Sequence, residues 1–147
     1  MKIICTSGFF DPIHSGHIEC MKQARELGDK LIVIVNNDQQ AIAKKGIVIM
    51  PVEQRIQIIR ELPYVDAVFV AVDEDGTVSK TLECVRPHVF AKGGDRNIGN
   101  IPEKEVCDRL GIQIVDGLGD KTFSSRNVMR SIIENIDKVP QSYLNGS

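Results

Sequence analysis

The chain has 147 residues, of which 42% are hydrophobic, which is enough for one domain with a proper core and too few to suggest two. A formal net charge of -2 at pH 7 provides no basic field, so the composition indicates neither a nucleic-acid partner nor a membrane surface. The four cysteines form no C-x-x-C pair, and no apolar run reaches the length of a signal-peptide core or a membrane span. We therefore expect a cytoplasmic protein with reduced core thiols that binds a small charged ligand at a local site.

Five apolar runs rich in Val and Ile predict strands, and several are continuous rather than alternating, as in strands covered on both faces. In chain order these runs are residues 2–7, 30–37, 67–72, 88–92 and 112–117. Helical periodicity and end signals predict helices at residues 17–27, 52–62, 78–85, 102–110 and 124–136. This alternation predicts an α/β fold with a single doubly wound (Rossmann-like) five-stranded parallel sheet and helices on both faces. We expect the domain to span residues 1–137 and residues 138–147 to form a loosely attached tail.

Sheets of this kind bind ligands beyond the carboxyl ends of their strands, near the point where the strand order reverses. The loops that follow the first, second, fourth and fifth predicted strands contain most of the glycine, histidine, lysine and hydroxyl residues that can handle a phosphate. These loops read GFFDPIHSGH, NNDQQAIAKKG, KGGDRN and DGLGDKTFSSR. The loop after the third strand contains DEDGT, which indicates only an acidic, solvated turn.

The segment HSGH places two histidines at the predicted start of a helix. Unpaired amides and the helix dipole favour an anion there, and the small Ser15 and Gly16 leave the backbone open to a phosphate group. His14 and His17 can then donate hydrogen bonds to the phosphate oxygens. A zinc site would need a third and usually a fourth ligand, and no other Cys or His has a suitable spacing; packing histidines without a role are the remaining alternative. We expect the third histidine, His88, to be packed and structural.

The stretch GFFDPIHSGHIECMKQARELGDKLIVIVNND resembles the nucleotidyltransferases of the cytidylyltransferase-like superfamily, which carry an H-x-G-H signature. The resemblance covers about residues 2–136 and includes VEQRIQIIREL, KGGD and FSSRNVMRSI in the same order. It is greatest to heptose-phosphate adenylyltransferases and next to glycerol-3-phosphate cytidylyltransferases. The late segment DKTFSSR departs from the R-T-x-G-[IV]-S-T typical of the second group, which leaves the nucleotide open between ATP and CTP.

The resemblance implies a role for each matching residue. It assigns catalysis to His14, His17 and Lys45, with Lys45 in a loop that can close over the site. Nucleotide binding is assigned to Ser7, Gly8, Phe9, Asp11, Gly16, Lys92, Gly93, Gly94, Asp95, Ser124, Ser125 and Arg126. Acceptor binding is assigned to Asn37, Lys44 and Arg55, and no residue is assigned to a metal ion.

Several of these assignments have a structural alternative. The adjacent Lys44 and Lys45 can be a solvated surface pair, and Arg55 can pair with acidic neighbours on its own helix. KGGD can be a plain glycine turn. Ser124 and Ser125 can simply cap the last helix, although a capped helix start is also a phosphate site, so these two interpretations coexist.

The reaction that the resemblance implies is attack by a phosphate oxygen of an acceptor on the α-phosphorus of a nucleoside triphosphate, with release of pyrophosphate. We expect transfer from ATP to a sugar phosphate such as heptose 1-phosphate. The alternatives are CTP-dependent transfer to glycerol 3-phosphate or another polyol phosphate, and a non-catalytic nucleotide-binding module. Mg²⁺ is expected with the triphosphate, held mostly by phosphate oxygens and water. The resemblance also implies a homodimer, and natural fusion to a sugar kinase stays open.

Overall fold

The computed structural model describes residues 1–94, 101–119 and 124–146. The strands within these residues are β1 Ile3–Gly8, β2 Lys30–Val35, β3 Ala67–Val70, β4 Val89–Gly93 and β5 Gln113–Leu118. The helices there are α1 Ser15–Arg25, α2 Asp38–Lys45, α3 Val52–Arg60, α4 Ser79–Val85, α5 Lys104–Leu110, α6 Ser125–Asn135 and α7 Gln141–Asn145. A 3-10 turn, Ile136–Lys138, lies between the last two helices.

The strands of the described residues form one parallel sheet in the order β3-β2-β1-β4-β5, which confirms the predicted doubly wound, five-stranded fold. β1 pairs with β2 on one side and with β4 on the other, so the chain builds the sheet outward from β1 in both directions. The strand order therefore reverses between β1 and β4. The carboxyl ends of these two strands are where such a sheet binds its ligand.

The two faces of the sheet carry separate clusters of buried apolar side chains, because side chains alternate between the faces along each strand. On one face the cluster includes Met21 of α1 and Ile59 of α3. On the other face Phe90 of β4 packs with Leu82 of α4 and Val106 of α5. Burial of each such large side chain contributes about 1.5–3 kcal/mol. Helices thus cover both faces, as predicted, and the helices after β1 and β4 leave the sheet toward opposite faces.

The segment after β2 is a helix, whereas we predicted a loop there. The Asn37 side chain accepts a hydrogen bond from the Gln40 backbone N–H (2.9 Å), and the Gln40 side chain accepts one from the Asn37 backbone N–H (3.0 Å). α2 ends before Gly46, whose φ of 87° stops the helix. The segment between these end signals has too few large apolar side chains to show a helical period. As a consequence, Lys44 and Lys45 lie in the last turn of a helix and not in a loop that can close over the site.

The predicted tail contains α7, and residues 140–146 are all exposed. Two smaller expectations differ from the structure. His88 is exposed rather than packed, although its Nδ1 accepts a hydrogen bond from the Ile3 backbone N–H (2.9 Å) and so links the starts of β4 and β1. Cys84 is an exposed free thiol and not a core residue. In the part of the chain that the structure describes, no helix has the length and apolar character needed to cross a membrane.

Candidate active site

The two histidines of HSGH build the start of α1. His14 is the N-cap residue, and its Nδ1 accepts a hydrogen bond from the Gly16 backbone N–H at 3.1 Å. His17 Nδ1 accepts one from the His14 backbone N–H at 3.1 Å, so the two side chains close a capping box. Their rings stack with centroids 3.7 Å apart. The helix start therefore holds both imidazoles side by side, in the loop that follows β1.

These hydrogen bonds determine which nitrogen of each ring carries the proton. Because Nδ1 of each ring accepts from an amide, the neutral ring carries its proton on Nε2 and donates from that atom. Burial lowers the pKa of His17 to about 3, an effect to which the adjacent His14 adds, and burial also lowers the pKa of His14. Both rings are therefore neutral at pH 7. A neutral Nε2–H group is suited to an oxygen atom that gains negative charge.

Phe10, which was not among the predicted site residues, holds the His17 ring in place. It is 5% exposed, and its ring meets the His17 ring edge to face with centroids 5.0 Å apart. Its φ of 53° turns the ring back over Gly8, where a Cβ atom would lie 2.9 Å from the Phe10 ring. A side chain at position 8 would therefore displace the Phe10 ring. The signal in the sequence was the Phe pair, of which only Phe9 was assigned to the site.

Asp11 and Lys45 form an ion pair that joins the loop after β1 to the α2–α3 connection. Lys45 Nζ lies 2.6 Å from Asp11 Oδ2 and 2.6 Å from the Asp11 carbonyl oxygen. The carboxylate also accepts hydrogen bonds from the backbone N–H groups of Ile49 (2.9 Å) and Met50 (2.6 Å). Burial alone would raise the pKa of Asp11, but Lys45 and the two amides hold it below its usual value. The side chain of Asp11 is 0% exposed, so it orients the loop and does not meet a nucleotide, and Lys45 is held by it rather than mobile.

Arg55 is a buried structural residue, in contrast to the predicted contact with the acceptor. Its side chain is 0% exposed. The guanidinium donates to the carbonyl oxygens of Met50 (2.8 Å), Phe9 (2.8 Å) and Asn36 (2.7 Å), and to Asp38 Oδ1 (2.5 Å). Phe9 follows β1 and Asn36 follows β2, so one side chain holds the ends of two neighbouring strands. Arg55 acts on the site through the positions of these loops.

The two other residues assigned to the acceptor have different surroundings. The Asn37 amide group donates to the carbonyl oxygens of Ala71 (3.1 Å) and Asp73 (3.0 Å), so it fixes the loop after β3 as well as the start of α2. These contacts occupy Asn37 within the fold. Lys44 is exposed, and its ammonium group lies 4.3 Å from the centroid of the Phe9 ring. Both adjacent lysines thus reach the loop after β1: Lys45 binds the buried Asp11, and the exposed Lys44 lies over the ring of Phe9.

The carboxyl ends of β1 and β4 bring Ser7 and Lys92 together. Lys92 Nζ lies 3.5 Å from Ser7 Oγ, and both residues are partly exposed. At Gly93 a Cβ atom would lie 3.2 Å from a sulfur atom of α1, and Gly94 has a φ of 81° that favours glycine. Asp95, the last residue of KGGD, lies outside the described residues. Packing and backbone conformation account for the two glycines, and the adjacent hydroxyl and ammonium groups line the crevice.

The start of α6 lies against the loop after β1. Ser124 is the N-cap residue, and its Oγ accepts a hydrogen bond from the Asn127 backbone N–H (3.3 Å). Ser125 Oγ donates to the Pro12 carbonyl oxygen (3.0 Å), although 113 positions separate the two residues. Arg126 is exposed in the first turn. The fold thus places Ser124 and Ser125 beside the loop that contains HSGH, and two helix starts meet at the same edge of the sheet.

A close approach between α1 and the end of β5 supports this arrangement. The Gly119 backbone N–H donates to Gln23 Oε1 (2.9 Å). A Cβ atom at Gly119 would lie 3.1 Å from Cys20 Cβ and 3.4 Å from the Gly16 carbonyl oxygen. A side chain at Gly119 would therefore need a small shift of α1, and the φ of 88° at this position favours glycine as well. Neither Gln23 nor Cys20 was a predicted site residue, because local periodicity carries no information about a contact with a distant strand.

The candidate site is therefore a crevice around the carboxyl end of β1. It is lined by the loop after β1, the ends of β4 and α2, and the start of α6, with His14, His17, Ser7, Lys92 and Ser125 as its central side chains. Among the residues that the structure describes, no group of three or more His, Cys, Asp or Glu side chains could hold a metal ion. The side chains of the crevice are neutral and cationic hydrogen-bond donors, which suit the oxygen atoms of a phosphate group.

Known proteins share both this sequence pattern and this fold. A family model described as cytidylyltransferase-like matches residues 5–115. Relatives named bifunctional protein HldE are 36% identical over 143 residues in Hahella chejuensis and 40% identical over 115 residues in Pseudomonas aeruginosa PAO1. The matches cover 93% and 77% of this chain and 28% and 24% of those relatives, so the chain spans about a quarter of their length.

Solved structures of other proteins have a similar fold. A lipopolysaccharide core biosynthesis protein from Thermoplasma volcanium is 29% identical with a TM-score of 0.70, over 82% of this chain and 99% of that chain. A pantoate-beta-alanine ligase from Francisella tularensis shares the fold at 19% identity, with a TM-score of 0.63 over 93% of this chain and 69% of its own. The family model spans most of the chain and includes the HSGH loop and KGG. The chain therefore belongs to the cytidylyltransferase-like family, as the resemblance predicted.

Proposed function

We propose that the chain transfers a nucleoside monophosphate from a nucleoside triphosphate, in the first place ATP, to a sugar phosphate such as heptose 1-phosphate. Pyrophosphate is released. The observation that carries this proposal is the stacked pair of neutral imidazoles, His14 and His17, beside the start of α6. The similarity to a lipopolysaccharide core biosynthesis protein supports a sugar phosphate as the acceptor.

In the proposed reaction an oxygen of the acceptor phosphate attacks the α-phosphorus, and the bond to the bridging oxygen breaks with its electrons on pyrophosphate. The nucleophile is already ionised at neutral pH, so the protein needs no general base. It must position the reactants and stabilise the charge that builds on the α- and β-phosphate oxygens. His14 and His17 donate to these oxygens from Nε2. One well-placed donor of this kind contributes about 3 kcal/mol to the transition state.

Mg²⁺ enters as part of the triphosphate substrate, held by phosphate oxygens and water, and shields their charge. Cationic and hydroxyl side chains of the crevice complete the binding of the phosphates. For the nucleotide we propose Ser7, Lys92, Ser124, Ser125 and Arg126 together with the backbone of Gly8, Phe9, Gly16, Gly93 and Gly94. Asp95 stays a predicted nucleotide contact, and Lys44 is proposed for the acceptor phosphate.

The experiment that tests the proposal measures pyrophosphate release in the presence of Mg²⁺. Each of ATP, CTP, GTP and UTP is paired with heptose 1-phosphate, glycerol 3-phosphate, phosphopantetheine and flavin mononucleotide. We expect release with ATP and heptose 1-phosphate. Release with CTP and glycerol 3-phosphate alone would replace the proposal with a cytidylyltransferase that uses the same site. Nucleotide binding without release in any pair would refute the enzymatic proposal in favour of a nucleotide-binding module.

Three histidine variants separate catalysis from folding. His17→Ala should lower kcat by about 100-fold, which corresponds to one lost oxyanion donor. His14→Asn should lower kcat similarly but retain the start of α1, because asparagine is a preferred N-cap residue. His88→Ala is the matched control, since that exposed histidine lies at the opposite end of the sheet, and its kcat should stay unchanged. Circular dichroism establishes that each variant is folded.

A further inference from the structure

Gln23 joins the helix that carries the two histidines to the chain that leaves β5. It lies on α1, and its Oε1 accepts a hydrogen bond from the Gly119 backbone N–H (2.9 Å). Gly16 and Cys20 lie on the same side of α1 and supply the atoms that a Cβ at Gly119 would meet. From Gly119 the chain leads into α6. One side of α1 therefore determines the point from which the chain continues to the start of α6.

The side chain of Gln23 is oriented by Glu19, one turn earlier on the helix. Gln23 Nε2 donates to Glu19 Oε1 (3.2 Å). An ionised carboxylate only accepts and a backbone N–H only donates, so the amide group has one favourable orientation. Its nitrogen faces Glu19 and its oxygen faces Gly119, whereas the reverse orientation would break both hydrogen bonds. Glu19 and Gln23 together thus hold a backbone amide of the loop after β5 in a defined position.

This link acts on the two helix starts that meet in the candidate crevice. α1 begins with the histidine pair, and α6 begins at Ser125, whose Oγ donates to the Pro12 carbonyl oxygen. The proposed reaction needs donors from both helix starts on one triphosphate, so their separation decides how well they bind it together. Ser125 and Pro12 connect the two loops directly, and Gln23 connects α1 to the chain that leads into α6.

The contact of Gln23 reaches the nucleotide side of the crevice only. In the strand order β3-β2-β1-β4-β5, Gly119 follows β5, whereas α2 with Lys44 follows β2 on the other side of β1. The histidine rings keep their orientation without Gln23, because backbone amides at the start of α1 bind both Nδ1 atoms. A change at Gln23 therefore leaves the acceptor side and the two histidine donors intact.

We propose that Gln23 is a positioning residue for the nucleoside triphosphate, and that Glu19 holds its amide group in the orientation that this role requires. Gln23 acts through the Gly119 amide on the start of α6 and does not meet the reacting atoms. The inference rests on the proposed function for the identity of the ligand. The role of Gln23 itself rests on the two hydrogen bonds of its side chain.

Binding of Mg-ATP and, in parallel, of Mg-CTP without an acceptor tests the inference by isothermal titration calorimetry. Gln23→Met keeps an unbranched side chain and a good helix former, and it removes the acceptor of the Gly119 N–H. We expect the nucleotide Kd and KM to rise about tenfold, the upper range for one lost hydrogen bond. In pyrophosphate release the acceptor KM should stay within about twofold and kcat within about threefold of the wild type.

An exchange of the two side chains provides the conservative rescue. The double variant Glu19→Gln with Gln23→Glu has an amide donor at position 19 and an acceptor at position 23, and the net charge is unchanged. The carboxylate at position 23 can accept from both the Gly119 N–H and the new amide. The nucleotide Kd should therefore lie within about twofold of the wild type, in contrast to Gln23→Met.

Arg25→Met is the matched control, because Arg25 makes its contacts at the other end of the same helix. Its guanidinium donates to the Gly28 carbonyl oxygen (2.8 Å) and pairs with Asp66 (3.3 Å). This variant should lower Tm by about as much as Gln23→Met and leave the nucleotide Kd unchanged. Circular dichroism establishes that each variant is folded at the temperature of the titration.

Three results would overturn the inference, since the contact would then serve stability alone. They are a wild-type nucleotide Kd in Gln23→Met, no restored binding in the exchange variant, and an equal loss of binding in Arg25→Met. A wild-type chain that binds a nucleotide but releases no pyrophosphate would refute the proposed function, and the Kd comparison would still decide the role of Gln23. A wild-type chain that binds neither nucleotide would overturn both.

Discussion

The buried position of Arg55 leads to a prediction about stability, and replacement with methionine tests it. The substitution preserves an unbranched side chain and removes the donors to three carbonyl oxygens and one carboxylate. A buried acceptor left without a donor costs about 1–3 kcal/mol, and the charge of Asp38 is partly offset by solvent because that side chain is 37% exposed. We expect the free energy of unfolding to fall by about 4 kcal/mol. For a chain of 147 residues this lowers Tm by about 10 °C.

Arg60→Met is the matched control, because Arg60 is an exposed arginine on the same helix. Thermal denaturation followed by circular dichroism measures Tm for both variants, and pyrophosphate release at a temperature where both are folded gives KM for the acceptor. Our reasoning requires a large loss of Tm for Arg55→Met and none for Arg60→Met. It would be refuted if both variants kept the wild-type Tm while Arg55→Met alone raised the acceptor KM, since Arg55 would then be an acceptor ligand.

Two further predictions follow from the buried groups of the site. Lys45→Met leaves the Asp11 carboxylate without its cation and should lower the free energy of unfolding by about 3 kcal/mol. Lys44→Met should leave Tm unchanged and raise the KM for the acceptor. Thermal denaturation and kinetics of both variants test this assignment, and an exchange of the two effects would reverse it. The pKa of His17 is about 3 in the folded chain and near 6.5 in the unfolded chain, so protonation favours the unfolded chain. The contribution of His17 to the free energy of unfolding is therefore full above pH 6.5 and is lost as the pH falls toward 3. At pH 5.5 the free energy of unfolding should be lower by about 1 kcal/mol. Urea denaturation at pH 7.5 and 5.5 should show this loss in the wild type and a smaller one in His17→Gln, and equal losses would contradict it.

The fold could be predicted from the sequence because its signals are local. Runs of Val and Ile identified each strand to within two residues, and helical periodicity with its end signals identified α1, α3, α4, α5 and α6. α2 was missed because its start and stop signals enclose a segment without an apolar period. The capping pair of Asn37 and Gln40, followed by Gly46, is the sequence signal of this short helix.

The direction of charged side chains was harder to predict. Arg55 was interpreted as a phosphate ligand because guanidinium groups bind phosphates, but it lies four residues before Ile59, and both face the core. A charged residue that lies three or four positions from a buried apolar residue on the same helix can therefore be buried itself and hold neighbouring loops by hydrogen bonds. Asp11 and Lys45 gave no such signal, because their contact joins the loop after β1 to the last turn of α2, 34 positions away, and depends on the assembled sheet.

The histidines were predictable for the same physical reason that makes them suitable for their proposed role. In HSGH the spacing of three residues that allows His14 and His17 to close a capping box also stacks their rings. The capping bonds occupy Nδ1 of each ring, and burial keeps the rings neutral, so each Nε2–H has a defined direction without any further residue to orient it. A catalytic histidine usually needs a separate group to select its tautomer. Here the backbone of the helix start does this, which ties the geometry of the donors to the folding of α1.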